Sequence, residues 1–443
     1  MSILLEEHLN SIVIPANLRI NDQINQYRKH CAANGCHRPY HHFAFGQSPF
    51  SPPPKIIQAL QDHANKHDYL PTAGLPELRE VIALYYKKKF GLDCTARQIV
   101  ISPGSKEMLS MLLAVLQGSI IIPSPSWVSY LPQAKILKKE VISLKLSPED
   151  NYKLTPSNLK HGIEHTHTNQ RILILNNPNN PTGAVYFEDE LKALAEVCKK
   201  YNVIVISDEI YARTSFNFDE YRSMATIYPE KTIVTGGLSK DRSCGGYRLG
   251  VGVFPQKSEN LVDDILKIAG STYSCVAAPI QYAGLVAYSM DEDIESYMDD
   301  CANIHSLVGQ KTADLLSEIP GVKATAPRGA FYSFVDFNEY RDNFLQLGFK
   351  TCSDFCEHLI AVEHTALLPG ESLLLLEDEF AVRVSYVDYD GNKLLETWKK
   401  DQPSNSQTED EFFTQNCPLI EEGIKNINRY IDQIKNMKKP EHI

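Results

Sequence analysis

Residues 171–211, RILILNNPNNPTGAVYFEDELKALAEVCKKYNVIVISDEIY, decide the fold. Two short runs of aliphatic and β-branched residues, 171–175 and 203–207, flank an amphipathic helical stretch at 188–201. Apolar runs bounded by turn residues suit strands covered on both faces, and a helix between two of them makes a βαβ unit of a parallel sheet. Outward from this unit the pattern repeats. Strands are expected at 98–102, 119–122, 232–235 and 249–254, and helices at 106–116, 260–267, 279–290 and 294–316. The fold class is α/β, a large domain with a mostly parallel sheet between helices. The character changes near Pro320-Gly321: 329–337 and 380–386 read as antiparallel strands and 418–435 as a closing helix, a smaller α+β domain built from both termini. The expected division is 1–68 as an N-terminal segment shared with the small domain, 69–319 as the large domain and 320–443 as the small C-terminal domain. The polar stretch 399–411 reads as an exposed insertion or mobile loop.

Composition narrows the function classes. A chain of 443 residues is long enough for about three domains or two unequal lobes. With 43% hydrophobic and 22% charged residues it is an ordinary globular chain. The net charge of −11, with no long basic block, argues against a nucleic-acid partner. No apolar run approaches the ~20 residues of a membrane span, so no membrane partner is expected. The start, MSILLEEHLN, carries two acids where a secretory signal is basic, and the expected location is cytoplasmic. Ten cysteines without a CxxC pair read as reduced thiols.

In an open parallel sheet, ligands bind beyond the carboxyl ends of the strands. Polar residues collect there in this chain. Ser102-Pro-Gly-Ser-Lys106 follows the first strand, Asn176-Asn-Pro-Asn-Asn-Pro-Thr-Gly183 and Asp208-Glu-Ile-Tyr211 follow the pair quoted above, and Gly236-Gly-Leu-Ser-Lys240 precedes Arg248. Taken singly each has a plain reading: a solvated lysine, a capping aspartate, a tight turn, a glycine in a βα turn. Jointly they describe one chemistry. A lysine among neutral and positive neighbours can condense with an aldehyde. A buried carboxylate can hold a protonated ring nitrogen, making the ring an electron sink. An amide and a phenol suit a ring hydroxyl, and an arginine with a helix N-terminus suits a phosphate. Those demands are met by pyridoxal 5′-phosphate.

At this point the chain resembles a known family, the fold-type I pyridoxal-phosphate-dependent aminotransferases of class I/II, from about residue 43 to 386 and beyond. Asn177 to Gly183 resembles the family's N-P-x-N-P-T-G turn, Ser239-Lys240 its lysine motif, and Gly246-Tyr-Arg-Leu-Gly250 its G-x-R-x-G continuation. The resemblance implies an aminotransferase that works by ping-pong kinetics between an L-amino acid and a 2-oxo acid, as a homodimer. It implies catalytic roles for Lys240, which joins the cofactor aldehyde and later carries the Cα proton, for Asp208 at the pyridine nitrogen, and for Tyr211, which shares the ring oxygen with Asn180. Trp127 matches the residue stacked on the ring, against a plain reading as a core tryptophan. Gly104, Ser105, Lys106, Ser239 and Arg248 match the phosphate cup, and Tyr69 the tyrosine that reaches the neighbouring subunit's phosphate. Arg383, Asn180 and Gly46 match the grip on the substrate carboxylate, a task for which a bidentate guanidinium is better suited than an ammonium.

Two departures stand out. Gly237 replaces a serine that supplies a phosphate hydroxyl in most relatives, leaving Thr235 or Ser239 to compensate, and in Gly46-Gln-Ser-Pro-Phe50 the proline is displaced by one. Rival readings are a pyridoxal-phosphate-dependent carbon–sulfur β-lyase, an enzyme like aminocyclopropane carboxylate synthase, which Lys240-Asp241 slightly resembles, or a non-catalytic cofactor-binding interaction protein. No metal site is expected: His63 and His67 lack a third ligand and read as surface histidines, and His41-His42, His165 and His167 as loop residues. Arg242 and Arg328 are candidates for a second substrate carboxylate, each equally readable as solvated.

Overall fold

A computed structural model describes residues 6–33 and 39–436 of the chain. Its centre is a seven-stranded sheet: β1 (Ile99–Ser102), β2 (Ser119–Ser124), β3 (Val141–Lys145), β4 (Arg171–Asn176), β5 (Ile204–Asp208), β6 (Thr232–Gly237) and β7 (Gly250–Val253). The spatial order is β1-β7-β6-β5-β4-β2-β3. Every pairing is parallel except the two made by β7, which runs back between β6 and β1. The six expected strands all form. The seventh, β3, was not legible: it is an edge strand with only Leu144 buried, so it lacks the apolar run that marks a covered strand.

Register brings the strand ends together. Asn176 lies beside Asp208 and Asp208 beside Thr235, while Gly250 of β7 lies opposite both Gly237 and Ser102. One edge of the sheet therefore presents the turns after β1, β4, β5 and β6 side by side. The helix Ser105–Val115 starts directly over β7. A Cβ on Gly250 would stand 2.2 Å from the Gly104 carbonyl carbon and 2.4 Å from the Ser105 nitrogen, so only glycine allows this approach.

A four-stranded antiparallel sheet includes Tyr332–Asp336 and Ala381–Ser385, with Phe334 opposite Arg383. The N-terminal segment is stitched to this part of the chain. His41–His42 pairs in parallel with Thr365–Ala366, and the buried His41 donates from Nδ1 to the Leu419 carbonyl at 2.8 Å. The expectation of loop residues at 41–42 is thus corrected: the pair forms a strand. His63 is likewise half-buried and stacks on Tyr282 at 5.0 Å. Helices at Ala16–Ala33, Pro54–Asp62 and Pro76–Phe90 precede the sheet.

The stretch 399–411 is also corrected. Helices Gly391–Lys400 and Ser406–Asn416 occupy most of it. The Asn405 side chain caps the second by accepting from the Thr408 amide at 3.0 Å. Phe412 and Phe413 are buried, with Trp398 edge-on to Phe412 at 5.7 Å, so two apolar residues anchor a helix whose other faces are polar. Eight described cysteines are free thiols, seven of them buried; Cys36 and the Cys31 side chain, residues 1–5 of the N-terminal reading and 437–443 lie outside the described residues. Among the described residues no helix is long and apolar enough to cross a membrane.

Candidate active site

The converging turns enclose a cavity of about 500 Å³ between the edge of the large sheet and the strand Ala381–Ser385. It is lined by Ser105, Lys106, Trp127, Asn180, Asp208, Tyr211, Ser239, Lys240, Gly46, Arg248 and Arg383, which are thereby brought together. Tyr69 is not among the lining residues and is 90% exposed. Gly104 stands behind the wall at φ +86°, where a Cβ would meet the Arg248 Nη2 at 2.1 Å.

Lys240 follows β6 on a turn that β7 closes. Its Nζ donates to the Gly46 carbonyl at 2.9 Å and lies 5.4 Å from the centre of the Tyr211 ring. Burial, and next the Arg383 guanidinium, pull its pKa down to about 7. A lysine in this state has its free amine populated near neutrality, the form that attacks an aldehyde.

Asp208 ends β5 and is 3% exposed. Tyr130 donates to its Oδ2 at 2.6 Å and Thr235 to its Oδ1 at 3.2 Å, while Asn176 Nδ2 donates to its backbone carbonyl at 2.8 Å. Burial raises its pKa against those hydrogen bonds. A carboxylate held this way is stabilised by a cation in the cavity, as a protonated ring nitrogen would be. Glu209, the next residue, turns away: its Oε1 accepts from Ser207 and Ser223 hydroxyls at 2.8 and 2.7 Å. Alternation along the strand separates the two carboxylates.

Arg383 is 3% exposed and has no carboxylate partner among the described residues. Its Nη1 donates to Asn180 Oδ1 at 3.1 Å and its Nη2 to the Ala44 carbonyl at 2.7 Å, its guanidinium lies 4.4 Å from the Tyr332 ring centre, and its Nε is buried without an acceptor. A buried cation so placed lacks an anion to neutralise it.

The far end of the cavity gathers hydrogen-bond donors of the kind that suit an anion. The first amides of the helix Ser105–Val115, those of Ser105 and Lys106, have no acceptor among the described residues, and Arg248 stands against the same turn, its Nη2 donating to Pro103 O at 3.3 Å. Of the two hydroxyls expected to replace the one absent at Gly237, Thr235 donates to Asp208 and does not line the cavity, whereas Ser239 does. A Cβ at Gly237 would stand 2.5 Å from the Leu249 carbonyl, so this backbone excludes serine there.

Three residues were missed by sequence reasoning. Tyr130 and Asn176 hold Asp208, and Tyr332 shares a 2.7 Å hydrogen bond with the Tyr211 hydroxyl. Tyr130 opens a helix three residues after Trp127, and its ring is edge-on to the indole at 5.2 Å. Tyr332 had no local signal, because it arrives from the small sheet. It does explain Gly46, where a Cβ would stand 2.0 Å from the Tyr332 hydroxyl. Arg242 and Arg328 are corrected as substrate contacts. Arg242 is 1% exposed and paired with Asp241 at 2.8 Å between the Tyr85 and Tyr288 rings, and Arg328 is exposed beside Phe187; neither lines the cavity.

A basic amine, a buried carboxylate, an anion cup and an unpaired guanidinium around one cavity fit pyridoxal 5′-phosphate and an amino acid, and define a class: transaminases that use this cofactor. The comparisons agree. Residues 39–429 match the model of the family "Aminotransferase class I and II". An aspartate aminotransferase of Bacillus subtilis (strain 168) is 31% identical over 350 residues, 77% of this chain and 85% of the relative. An asparagine–oxo-acid transaminase of Streptococcus mutans is 29% identical over 355 residues, 77% and 86% of the two chains. The aspartate aminotransferase of Thermus thermophilus solved with maleate superposes with a TM-score of 0.78 at 23% identity, over 97% of this chain and 100% of that one. The chain belongs to the class I and II aminotransferase family, and it is a pyridoxal-phosphate-dependent transaminase.

Proposed function

We propose that this transaminase exchanges an amino group between aspartate or asparagine and a 2-oxo acid in two half-reactions, each substrate leaving before the next binds. The observation that supports the site assignment is Arg383, buried and without a counter-ion among the described residues, within the same cavity as Lys240. Two grounds support the donor class. The relatives named above take aspartate or asparagine, and the cavity is lined by Lys106, Lys240, Arg248 and Arg383 against the one carboxylate of Asp208.

When bound, the cofactor supplies an electron sink that stabilises negative charge at the substrate Cα. The chain supplies the rest. Lys240 would hold the cofactor through Nζ and, once freed by the donor amine, would accept the Cα proton on Nζ as general base. Asp208, oriented by Tyr130 and Thr235, would set its carboxylate against the ring nitrogen and favour the protonated ring. Tyr211 and Asn180 would hydrogen-bond the ring oxygen, Trp127 would pack on the ring, and the Ser105 and Lys106 amides, Ser239 and Arg248 would hold the phosphate. Arg383, with Asn180 and the Gly46 backbone, fixes the α-carboxylate so that the Cα–H bond faces Lys240. Tyr69, fully presented to solvent, completes the phosphate cup of a second copy, so the active form is a homodimer. In this reading residues 69–319 form the cofactor domain, 1–68 and 320–443 contribute the smaller one, and the enzyme works in the cytoplasm, where its free thiols stay reduced.

The test is to mix the holoenzyme with one amino acid at a time. Stoichiometric oxo-acid release from aspartate without any acceptor, and parallel-line kinetics with one, are expected; pyruvate and ammonia as products would instead indicate a lyase. Arg383→Lys keeps the charge and loses the two-pronged geometry, so KM for the donor is expected to rise about 10- to 100-fold with a smaller change in kcat. A pH dependence follows from Lys240. Its amine is protonated below a pKa of about 7, so the rate at which apoprotein takes up the vitamin aldehyde is expected to level off above pH 7. Below it the rate falls about tenfold per pH unit, as the free-amine fraction does. Stopped-flow absorbance across pH 5.5–8.5 (about ±1.5 units around this midpoint) checks it; a rate still rising tenfold per pH unit at the top of that range contradicts it.

A further inference from the structure

Loop 46–51 carries the Gly46 carbonyl that accepts from Lys240, yet it belongs to the N-terminal segment, far from 240 in sequence. A chain of hydroxyls outside the cavity ties the two together. Ser48 Oγ lies 2.6 Å from Ser243 Oγ, Ser243 Oγ lies 2.7 Å from the Tyr297 hydroxyl, and Tyr297 donates to the Ser51 carbonyl at 2.8 Å. One proton per hydroxyl fixes the direction. A carbonyl only accepts, so Tyr297 spends its proton on Ser51 and must accept from Ser243, which in turn must accept from Ser48. Each oxygen in the chain is used, and its ends close on the same loop, three residues apart.

The lysine side of this link is rigid. Arg242 donates from Nε to the Ala287 carbonyl at 2.8 Å and pairs with Asp241. Ser243 sits at φ +54°, a left-handed conformation unfavourable for a residue with a Cβ and one that a hydrogen-bonded side chain can sustain. Ser48 and Tyr297 are 7% and 4% exposed, and none of the three residues lines the cavity. Beyond this link, loop 46–51 is held at its far end, where the Ser51 amide donates to Asn392 Oδ1 at 3.0 Å and the buried Phe50 packs edge-on to His305 and Tyr389, leaving the Gly46 end to the hydroxyl chain.

We propose that Ser48, Ser243 and Tyr297 are positioning residues of the transamination reaction, a hydroxyl relay that locks the Gly46 carbonyl against the Lys240 amine. The inference rests on Lys240 being the reacting amine. Arg383 and Asn180, the side chains that grip the substrate carboxylate, lie outside the relay, which reaches that grip only through the Gly46 backbone, so the relay acts chiefly on the aim of the amine and only weakly on affinity.

The experiment compares holoenzyme carrying Ser243→Ala, Ser48→Ala, both changes, or Tyr297→Phe. Expected is a fall in kcat of about five- to tenfold with donor KM changed less than about twofold. The double variant should lose no more than either single one, because each breaks the same link. Ser48→Thr, which keeps a hydroxyl, should restore kcat. Unchanged kcat in Ser243→Ala and Tyr297→Phe, or kcat losses that multiply in the double variant, or a rise in KM alone, would overturn the relay. If one variant fails to fold, the other reports on the opposite end of the link. Failure of the underlying assignment is separable: it would appear as activity retained in Lys240→Ala, whatever Ser243 does.

Discussion

Replacing Lys240 with alanine is expected to lower kcat/KM by at least about 10⁴-fold, the combined loss of a covalent attachment point and of a general base. The structure offers no substitute. The other amine lining the cavity, Lys106, stands at the start of the helix Ser105–Val115, with its Nζ 5.0 Å from the centre of the Trp127 ring. The part of the loss due to the missing base should be specific to proton transfer at Cα. Added small amines such as methylamine should recover part of the rate, and steady-state kinetics with and without the amine checks both statements. A residual rate above one-hundredth of the starting enzyme would place the base elsewhere.

Asp208→Ala is expected to cost about 10³-fold in kcat, through the electrostatic stabilisation of developing charge in a buried site. The side chain is nearly fully buried, and two hydroxyls, from Tyr130 and Thr235, point at its oxygens. Removing the carboxylate leaves those donors without their acceptor and the ring nitrogen without its counter-charge. Asp208→Glu, which retains the charge but lengthens the arm into packed surroundings, should lose less. Single-turnover measurement of Cα deprotonation separates this effect from cofactor loss; equal rates in Asp208→Ala and the parent enzyme would assign the ring nitrogen to another group.

The large sheet was legible because its strands are apolar on both faces and its turns carry the polar residues. The placement of Lys240, Asp208, Asn180 and Arg248 at one edge was readable for the same reason: Asn180 and Lys240 follow parallel strands, Asp208 ends one, and Arg248 leads into the strand that runs back. What sequence could not supply came from across the fold. Tyr332 reaches Tyr211 from another sheet, and Gly46 is a glycine because that phenol occupies the space of a Cβ. Edge strand β3 escaped because exposure dilutes its pattern, and Ser406–Asn416 escaped because two buried phenylalanines outweigh a polar composition. Arg242, a candidate for a second substrate carboxylate or a solvated cation by sequence, is instead buried and consumed by Asp241 and two aromatic faces, which sequence alone does not place around it.

The account stands most directly on the attachment of the vitamin B6 aldehyde to one amine. Holoprotein reduced with borohydride, digested and mapped by mass spectrometry should carry the pyridoxyl group on the peptide containing Lys240 and on no other. A label on Lys106 or elsewhere, or protein that gains no absorbance from the vitamin at neutral pH, would contradict it.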